Sequence, residues 1–339
     1  MPPARLAFIF LFAGPALSAA DALVPEFSFR HSALSVVSEN DKYFAGTDRH
    51  YTNGFKITWV GETDLNESQE FVQAVARFLP WINPAHTTWR YKLGFALGHN
   101  IYTPGDTATA AFIPDDRPYA GWLYGSMLLH AQRDNQLRLI EISLGVVGPA
   151  ALGQQVQNQW HRFIHEPRSQ GWTHQLRDEP GVQLSWERRY RAGQWKGAGG
   201  SPWDTDIVLS HRLTLGNVGT HLAGGVVVRF GWRLPKDFGA DLIRPGGGNT
   251  PNGAVDRFSA YVHAGAEARA VARDIFLDGN TWRSSHSVDK RPVVGDLNLG
   301  FVCAWPGFQI AYTQNHRTKE FYGQRRRDVF GSIGFSFTR

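Results

Sequence analysis

The segment YTNGFKITWV, residues 51–60, has the alternating pattern of a β-strand. Its odd-numbered positions are mostly apolar, and they are Tyr51, Asn53, Phe55, Ile57 and Trp59. Its even-numbered positions from Thr52 to Thr58 are small or polar. Because successive side chains of a strand point to opposite faces, the pattern predicts a strand with one face toward lipid and the other toward a polar interior.

Comparable alternation recurs along the chain and predicts about twelve strands. The segments are 27–37, 51–60, 89–101, 118–131, 136–147, 181–191, 205–216, 220–232, 257–271, 293–304, 307–317 and 328–338. Bacterial outer-membrane barrels have an even number of antiparallel strands, each with one apolar face. We therefore expect an all-β fold, a transmembrane antiparallel β-barrel of about twelve strands with a few short helices.

The last predicted strand has the features of the C-terminal signal of outer-membrane barrels. One face is apolar and the other small, with Val329, Ile333, Phe335 and Phe337 opposite Ser332, Gly334 and Ser336. Such signals usually end on an aromatic residue, whereas Thr338 and Arg339 follow Phe337 here. A soluble antiparallel sandwich or a lipocalin-like barrel also has alternating strands and is the alternative fold.

Composition favours one large β domain over two ordinary domains. The chain of 339 residues contains 36 glycines, 13% aromatic and 19% charged residues, a mixture typical of many strands joined by tight turns. The single cysteine, Cys303, excludes an internal disulfide. The net charge of +5 favours an anionic partner, and for an exported chain it favours phosphorylated lipid headgroups over nucleic acid.

The first 22 residues have the composition of a secretory signal peptide. A short basic region ends at Arg5, an apolar stretch spans Leu6–Leu17, and small residues suited to cleavage follow from Ser18 to Ala22. No later apolar run approaches the roughly 18 to 20 residues of a transmembrane helix. We therefore expect export, removal of residues 1–22, and a mature barrel domain of residues 23–339.

Two stretches break the strand pattern and predict helices, residues 66–79 and about 152–165. On the second helix, amides and imidazoles recur at spacings of three and four, at Gln154, Gln157, Asn158, His161 and His165. The opposite side is expected to anchor this helix through Val156, Trp160 and Phe163. Long turns are predicted at 193–202 and 244–253, and we expect both on the cell-surface side, where barrel loops are longest.

Oxygen-rich side chains crowd into the stretch ENDKYFAGTDRHYTNG, residues 39–54. Asn40, Asp41 and Thr52 are expected to share one side of the sheet wall, where carboxylate, amide and hydroxyl oxygens suit a hard cation such as calcium. If His161 lies near these oxygens, its imidazole is a candidate general base that removes a proton from water. Taken alone, such a histidine is more often solvated or structurally hydrogen-bonded.

Other hydrolytic and phosphate-binding motifs are incomplete or missing in the sequence. His161 and His165 have the i, i+4 spacing of zinc sites on helices, but HRFIH lacks the glutamate of that motif. No G-x-S-x-G serine motif and no G-x-x-x-x-G-K-[ST] phosphate loop occurs.

Charged residues also stand at a strand entrance, where Asp115, Asp116 and Arg117 precede PYAGW at 118–122. We interpret Asp115 as part of a turn with an ion pair, while Arg117 either orients a site carboxylate or meets a substrate phosphate. Basic residues near the other end are expected to be rim charges, and they are Arg317, Lys319, Arg325, Arg326 and Arg327. A rim is also where an anionic glycolipid docks.

Taken together, several segments resemble the outer-membrane lipid A 3'-O-deacylase family. They are ENDKYFAGTDRHYTNG at 39–54, DDRPYAGW at 115–122, GPAALGQQVQNQWHRFIH at 148–165, GWTHQLRDEPG at 171–181 and HRTKEFYGQ at 316–324. The resemblance implies a twelve-stranded barrel with its active site between the wall and a helix near the outer leaflet. It also implies calcium-dependent hydrolysis of the ester that holds the 3'-linked acyloxyacyl group of lipid A.

By matching positions, the resemblance implies that His161 is the catalytic base. It implies that Asn40 and Thr52 act with this histidine in catalysis, and that Asp41 and Asn40 bind Ca²⁺. Gln157, one helical turn before His161, is a further candidate metal ligand.

The sequence departs from the family pattern at two places. Glu166 is the acidic residue nearest the second helix, and its register with the family's acidic site residue is open. The loop 103–114 contains no lysine or arginine, so a basic contact to a lipid headgroup has to come from elsewhere, and Arg117 is our candidate.

The expected mechanism is attack by water without a covalent acyl-enzyme. Calcium is expected to polarise the ester carbonyl, while neutral His161 deprotonates the water. The expected partners are lipopolysaccharide as substrate and the outer membrane, with no nucleic acid, and a monomer is expected. The alternatives are a non-enzymatic porin or adhesin, and an outer-membrane phospholipase or esterase of other specificity.

Overall fold

The computed structural model describes residues 30–43, 50–62, 89–240, 242–243 and 255–339. The predicted signal peptide at 1–22, the predicted helix at 66–79 and the predicted turn at 244–253 lie outside the described residues. None of the described helices has the length and apolarity to cross a membrane.

Twelve strands form a closed barrel in which each strand is antiparallel to its neighbours and β1 pairs with β12. They are β1 Arg30–Asn40, β2 His50–Glu62, β3 Arg90–Thr103, β4 Ala120–Arg133, β5 Gln136–Val147, β6 Glu179–Lys196, β7 Trp203–Gly216, β8 Gly219–Trp232, β9 Ser259–Asp274, β10 Val293–Trp305, β11 Phe308–Arg317 and β12 Asp328–Thr338. The prediction of an antiparallel barrel of about twelve strands is confirmed.

Both described α-helices follow odd-numbered strands, which run from the rim where β1 begins and β12 ends toward the opposite rim. Helix α1 spans Gly153–Phe163 after a 3₁₀ turn at Pro149–Ala151, and α2 spans Ile275–Asp278. Further 3₁₀ turns lie at Gly171–His174 and Ala198–Gly200. We call the barrel rim that carries α1 and α2 the helix end, and the opposite rim, where β1 begins and β12 ends, the terminal end.

The turn predicted at 193–202 lies at the terminal end, and its first residues belong to β6. The sequence placed this turn on the cell-surface side, and the resemblance implied a helix near the outer leaflet; the two lie at opposite rims, so both expectations cannot hold. In an up-and-down barrel the connections alternate between the two rims, so the β6–β7 connection emerges at the rim opposite to α1, which lies between β5 and β6.

The barrel interior is polar and contains many ion pairs. Lys56 lies 2.7 Å from Glu141, and both are buried. Arg229 is fully buried, lies 2.6 Å from Asp206 and also contacts Asp237. Charges buried in this way are tolerated because each has an opposite charge beside it.

A segment after β8 folds back from the terminal end into the lumen. Phe238 packs with Leu137, Leu139 and Val208 on the inner wall. Further along, the backbone N–H of Ile243 donates to Glu39 Oε1 at 2.8 Å, close to the helix end of β1. The described residues therefore fill much of the barrel, and a cavity of about 130 Å³ remains between this segment and the helix end.

The outer wall is apolar, as the alternating pattern predicts. Many large apolar side chains are exposed there, among them Phe95, Leu97, Met127, Leu144, Val182, Leu222, Phe230, Val262, Leu297, Leu299 and Phe301. On β12, Phe335 and Phe337 are exposed while Ser332 and Ser336 are buried, so the predicted two faces of this strand are confirmed. A band of this kind is the lipid-contacting surface of a membrane barrel.

Candidate active site between helix α1 and the barrel wall

The strand pairing is irregular where β2 begins. The pairing of β2 with β3 shifts between Tyr51 and Asn53, which marks a β-bulge. Tyr51 turns toward the lumen and donates to Glu39 Oε2 at 2.9 Å, so the prediction that it shares a face with Phe55 is wrong. The extra residue of the bulge resets the alternation. Thr52 is buried, and its Oγ1 lies 2.7 Å from Thr103 Oγ1.

Helix α1 starts directly against the outer side of the wall. A Cβ added to Gly121 of β4 would lie only 3.1 Å from the Cα of Gly153, so two glycines allow this close approach. His99, on the lipid-facing side of β3, has its Nε2 2.8 Å from the carbonyl oxygen of Ala151. Since a carbonyl only accepts, the His99 Nε2–H donates. These contacts fix the first turn of α1.

The polar face of α1 is the buried one. Gln157 and His161 are each 2% exposed. Trp172 Nε1 donates to Gln157 Oε1 at 2.8 Å, and Trp172 packs with Ile101 and Tyr119. Trp172 thus links Gln157 to the outer stretch of β3 that carries Thr103, two residues after Ile101.

The ring of His161 is oriented by a backbone carbonyl. Its Nδ1 lies 2.6 Å from the carbonyl oxygen of Pro167. The Nδ1–H must donate in this contact, because the carbonyl has no hydrogen. In neutral imidazole the basic nitrogen is therefore Nε2, which is the arrangement that a general base requires.

The apolar side of α1 faces outward. Val156, Trp160 and Phe163 are 42%, 41% and 73% exposed, so the anchor expected from these residues is not formed with the protein itself. The physical reason is the environment of the helix. It lies outside a wall whose own outer residues are apolar, and the side away from the protein is the one that lipid covers.

The end of β1 is tied to the end of α1 by an ion pair. Asn40 and Asp41 are buried, and Asn40 Oδ1 accepts the backbone N–H of Lys42 at 2.7 Å. Lys42 Nζ lies 3.1 Å from Glu166 Oε1, and the Glu166 N–H donates to the carbonyl oxygen of His161 at 2.8 Å.

The contacts link segments that the sequence separates widely. Lys42 and Glu166 join the end of β1 to the residues after α1, Thr52 joins β2 to Thr103 of β3, and Trp172 lies between Gln157 of α1 and Ile101 of β3. The catalytic roles of His161, Asn40 and Thr52 stay predictions. Sequence reasoning missed four residues that build this region, Lys42, Thr103, Pro167 and Trp172. Lys42 and Trp172 lie in two segments that carry the family resemblance, 39–54 and 171–181, whereas Thr103 and Pro167 lie in none of them.

Arg117 lies on the lumen side of the helix end. It is fully buried, its Nη1 is 3.1 Å from Glu320 Oε2, and its guanidinium lies 5.1 Å from the centre of the Tyr102 ring. Burial acts to lower its pKa, but the nearby carboxylates of Glu320, Asp274 and Asp328 together raise it above the usual value. Arg117 thus pairs with a lumen carboxylate and not with one of the expected site residues, and its expected contact with a substrate phosphate stays a prediction.

Glu320 is the hub of this cluster. Burial acts to raise its pKa, but Arg317, Arg117 and Arg269 lower it to about 2. Arg317 also lies 2.7 Å from Asp296, so the interpretation of Arg317 as a rim charge is wrong. Its position on β11 alternates with the outward-facing His316 and therefore points to the lumen. The exposed rim arginines of the β11–β12 connection are Arg325, Arg326 and Arg327.

The side chains expected to hold Ca²⁺ have suitable chemistry, because Asp41, Asn40 and Gln157 can each bind the ion through an oxygen atom. Asp41 is the single carboxylate among them. In the part of the chain that the structure describes, no group of three or more His, Cys, Asp or Glu side chains is placed to hold a metal ion. The Gln157 oxygen already accepts from Trp172, which uses one of its two lone pairs. A bound calcium would therefore need backbone oxygens or water to complete its usual six to eight ligands.

Comparison with known proteins identifies the family. The family model described as outer membrane protein LpxR matches residues 6–339. This chain belongs to the LpxR family. Family membership establishes an outer-membrane location, and it supports a protein that modifies lipid A, in agreement with the resemblance of the sequence motifs.

A solved structure shows the same architecture. LpxR from Salmonella typhimurium has a TM-score of 0.73 and 19% sequence identity, with 90% of this chain and 99% of that chain covered. The β domain of the Bordetella autotransporter BrkA has a TM-score of 0.43 and 10% identity, with coverage of 91% and 97%. A comparison with curated protein sequences gives no significant match. The similarity to the Salmonella LpxR structure shows a shared barrel fold.

Proposed function

We propose that this LpxR-family protein is a hydrolase that removes the 3'-linked acyloxyacyl group from lipid A in the outer membrane. The observation that carries the proposal is His161, which is buried between α1 and the wall with its Nδ1–H held by the Pro167 carbonyl. Family membership and the lipid-facing position of the helix point to a membrane lipid as the substrate.

In the proposed reaction His161 Nε2 takes a proton from the attacking water and later returns it to the leaving oxygen. The ester carbon–oxygen bond breaks, and the products are a free acyloxyacyl acid and the 3'-hydroxyl of lipid A. The Pro167 carbonyl supports this role because it stabilises the protonated imidazole and holds the ring in one orientation. No serine or cysteine is required as a nucleophile.

Asn40, Asp41 and Thr52 supply the polar side of the proposed cleft. Asp41, Asn40 and Gln157 are the residues that would hold Ca²⁺. When bound, such an ion would supply a positive charge for the developing oxyanion. The side chains of Asn40 and Thr52 would orient the ester, and burial strengthens their electrostatic contacts by excluding water.

The test is mass spectrometry of lipid A treated with the purified protein in detergent. We expect loss of the 3' acyloxyacyl unit, abolition of this loss by a chelator, and recovery with added calcium. His161→Ala should lower the rate by at least about 100-fold, the usual effect of losing a general base. His165→Ala is the matched control, because His165 is exposed and lies just beyond the helix.

Full activity of His161→Ala would overturn the proposed mechanism, and full activity after chelation would overturn the role of calcium. Release of fatty acids from phospholipid, with lipid A left intact, would instead support the phospholipase alternative. A porin requires an open lumen, whereas the segment after β8 and the ion pairs of the inner wall occupy the interior of this barrel.

A further inference from the structure

The outer wall carries a groove across strands β8 to β11, next to the rim at the helix end. The groove has a volume of about 700 Å³. Its apolar part is lined by Gly224, Val226, Ala266, Ala268, Gly295 and Leu297. In the closed barrel β9 is six strands away from β3 in either direction, whereas α1 contacts β3 and β4. The groove therefore lies on the opposite side of the barrel from the candidate active site.

The floor of the groove is a column of alanines on β9. Side chains alternate along a strand, and His263 and Glu267 are buried, so the even-numbered positions around them face outward. These positions carry Ala264, Ala266, Ala268, Ala270 and Ala272. Gly224 and Gly295 flank Ala268 in the strand register, so the wall is flattest at this level.

Larger apolar side chains border the alanine column on both sides. In the strand register, Ala266 and Ala270 each stand between two of them. The bordering residues are Leu222 and Val226 of β8 and Val293 and Leu297 of β10, and all four are exposed. Since neighbouring strands are about 4.8 Å apart, the two borders are about 10 Å apart. A hydrocarbon chain needs about 4 Å to the carbon atoms on each side, so one acyl chain fits between the borders.

The alanine column has the depth of one membrane leaflet. The residue steps from Ala264 to Ala270 cover about 20 Å along the strand, at about 3.3 Å per residue. Strands of membrane barrels tilt by about 40°, so this length corresponds to about 15 Å along the membrane normal. That is half of the roughly 30 Å hydrocarbon core. An acyl chain in the groove therefore belongs to the leaflet at the helix end.

Cationic side chains stand where the groove reaches the rim. Lys319 and Arg327 line the same cavity and belong to the connection between β11 and β12. Arg327 is exposed, and neither side chain takes part in an ion pair within the described residues. Both charges are therefore available to an anion in the headgroup region of the membrane.

The acidic side chains of the groove do not neutralise these two cations. Glu267 and Asp296 are the acids that line the cavity, and both are buried on the lumen side of the wall. Glu267 lies 2.5 Å from Arg212, and Asp296 lies 2.7 Å from Arg317. The outer side of the groove thus combines an apolar channel with positive charge at its rim end.

We propose that this groove binds a molecule of lipid A that is separate from the substrate in the active site. One acyl chain would lie along the alanine column, and the headgroup phosphates would bind Lys319 and Arg327 through charge-assisted hydrogen bonds. Lipid A carries phosphate on both of its sugars and can engage both cations, whereas a phospholipid such as phosphatidylglycerol offers a single phosphate. The choice of lipid A also rests on the proposed function, which places the helix end in the lipopolysaccharide leaflet.

The test is native mass spectrometry of the protein in detergent, titrated with bisphosphorylated lipid A from which the 3' acyloxyacyl group has been removed. This probe lacks the ester that the proposed reaction breaks, so it is not consumed. Bound lipids are counted one by one, so a lipid at α1 and a lipid in the groove are counted separately. We expect K319Q/R327Q to weaken one of these binding steps by at least about tenfold. The matched control is R325Q/R326Q, which removes two exposed arginines of the same connection that do not line the groove.

A second variant tests the apolar channel. A268L fills the floor between the two glycines, and it should weaken the same binding step by about tenfold because the acyl chain loses its contact with the wall. The control is A260L, on the same face of β9 but near the terminal end. Heat-modifiable migration in gels checks that each variant is a folded barrel.

Unchanged binding in K319Q/R327Q, or equal losses in this variant and in R325Q/R326Q, would overturn the site. Equal binding of phosphatidylglycerol would overturn the assignment to lipid A. Displacement of the lipid by soluble glucosamine 1-phosphate at the same concentration would show a site for free sugar phosphates and overturn the lipid assignment. Deacylase assays of the unaltered protein separate the two proposals: an active enzyme without the binding step overturns only the groove site, and an inactive protein that keeps this step overturns only the proposed function.

Discussion

At the scale of single residues, the candidate site depends on which atoms are already engaged. The Pro167 carbonyl selects the tautomer of His161 by accepting its Nδ1–H. The Thr52 and Thr103 hydroxyls hydrogen-bond each other, so each is oriented by its partner. Two roles for Thr52 therefore have to be separated, a structural one shared with Thr103 and a catalytic one of its own.

Thr52→Val and Thr103→Val separate these roles. Each variant removes the same hydrogen bond, so each should lower the free energy of unfolding by a similar amount, about 1 kcal/mol. Only Thr52→Val should lower kcat for lipid A hydrolysis, by about tenfold or more, because Thr103→Val keeps the Thr52 hydroxyl. Steady-state kinetics together with urea unfolding in detergent provide the measurement. Equal effects of the two variants on kcat would show that Thr52 is structural.

At the scale of elements, helix α1 buries its polar face and exposes its apolar face, which is the reverse of a helix on the surface of a soluble protein. Its polar residues Gln157 and His161 face the wall, while Trp160 and Phe163 face away from it. The Trp160 and Phe163 rings lie 5.6 Å apart, so they form a continuous apolar edge. This edge borders the proposed cleft on the side from which a membrane lipid would enter.

Placing charges on this edge should weaken lipid access. We expect Trp160→Asp combined with Phe163→Asp to raise KM for lipid A in vesicles by about tenfold, since burial of two large apolar side chains in lipid is lost. The kcat should change much less, because His161 lies on the opposite face. Gln155→Asp is the matched control on an exposed position of α1. A KM that stays the same in the double variant would show that this edge does not contact the substrate membrane.

At the scale of the whole molecule, the barrel combines an apolar outer wall with an interior filled by charge pairs and a folded segment. The segment after β8 is held on the inner wall by Phe238 and by contacts of Asp237 with Arg229. The filled barrel provides a rigid support for a site on its outer rim. Ions can pass through the barrel only if the segment after β8 leaves the lumen.

We expect the unaltered protein to conduct no ions in planar bilayers. Replacement of residues 234–240 by a Gly/Ser linker of equal length should produce measurable conductance, because the side chains that occupy the lumen are removed. The control is the same replacement at 198–201, in the β6–β7 connection at the same rim, where the residues are exposed or only partly buried. Conductance by the unaltered protein, or no gain in the 234–240 variant, would contradict this account of the interior.

The sequence by itself determined the barrel, because strand alternation is a local property that each segment displays on its own. The predicted span 136–147 coincides with β5, and the predicted helix at 152–165 contains α1. Alternation failed at Tyr51, where a bulge inserts one residue. The amphipathic pattern of α1 did not reveal whether lipid or protein covers its apolar face.

The tertiary structure alone decided which distant groups meet. Lys42 pairs with Glu166, Trp172 donates to Gln157, and the Pro167 carbonyl orients His161. Gly224, Ala268 and Gly295 become neighbours only through the register of β8, β9 and β10. These contacts join residues that carry no shared motif, and they depend on strand register and loop path, which arise from the packing of the whole chain.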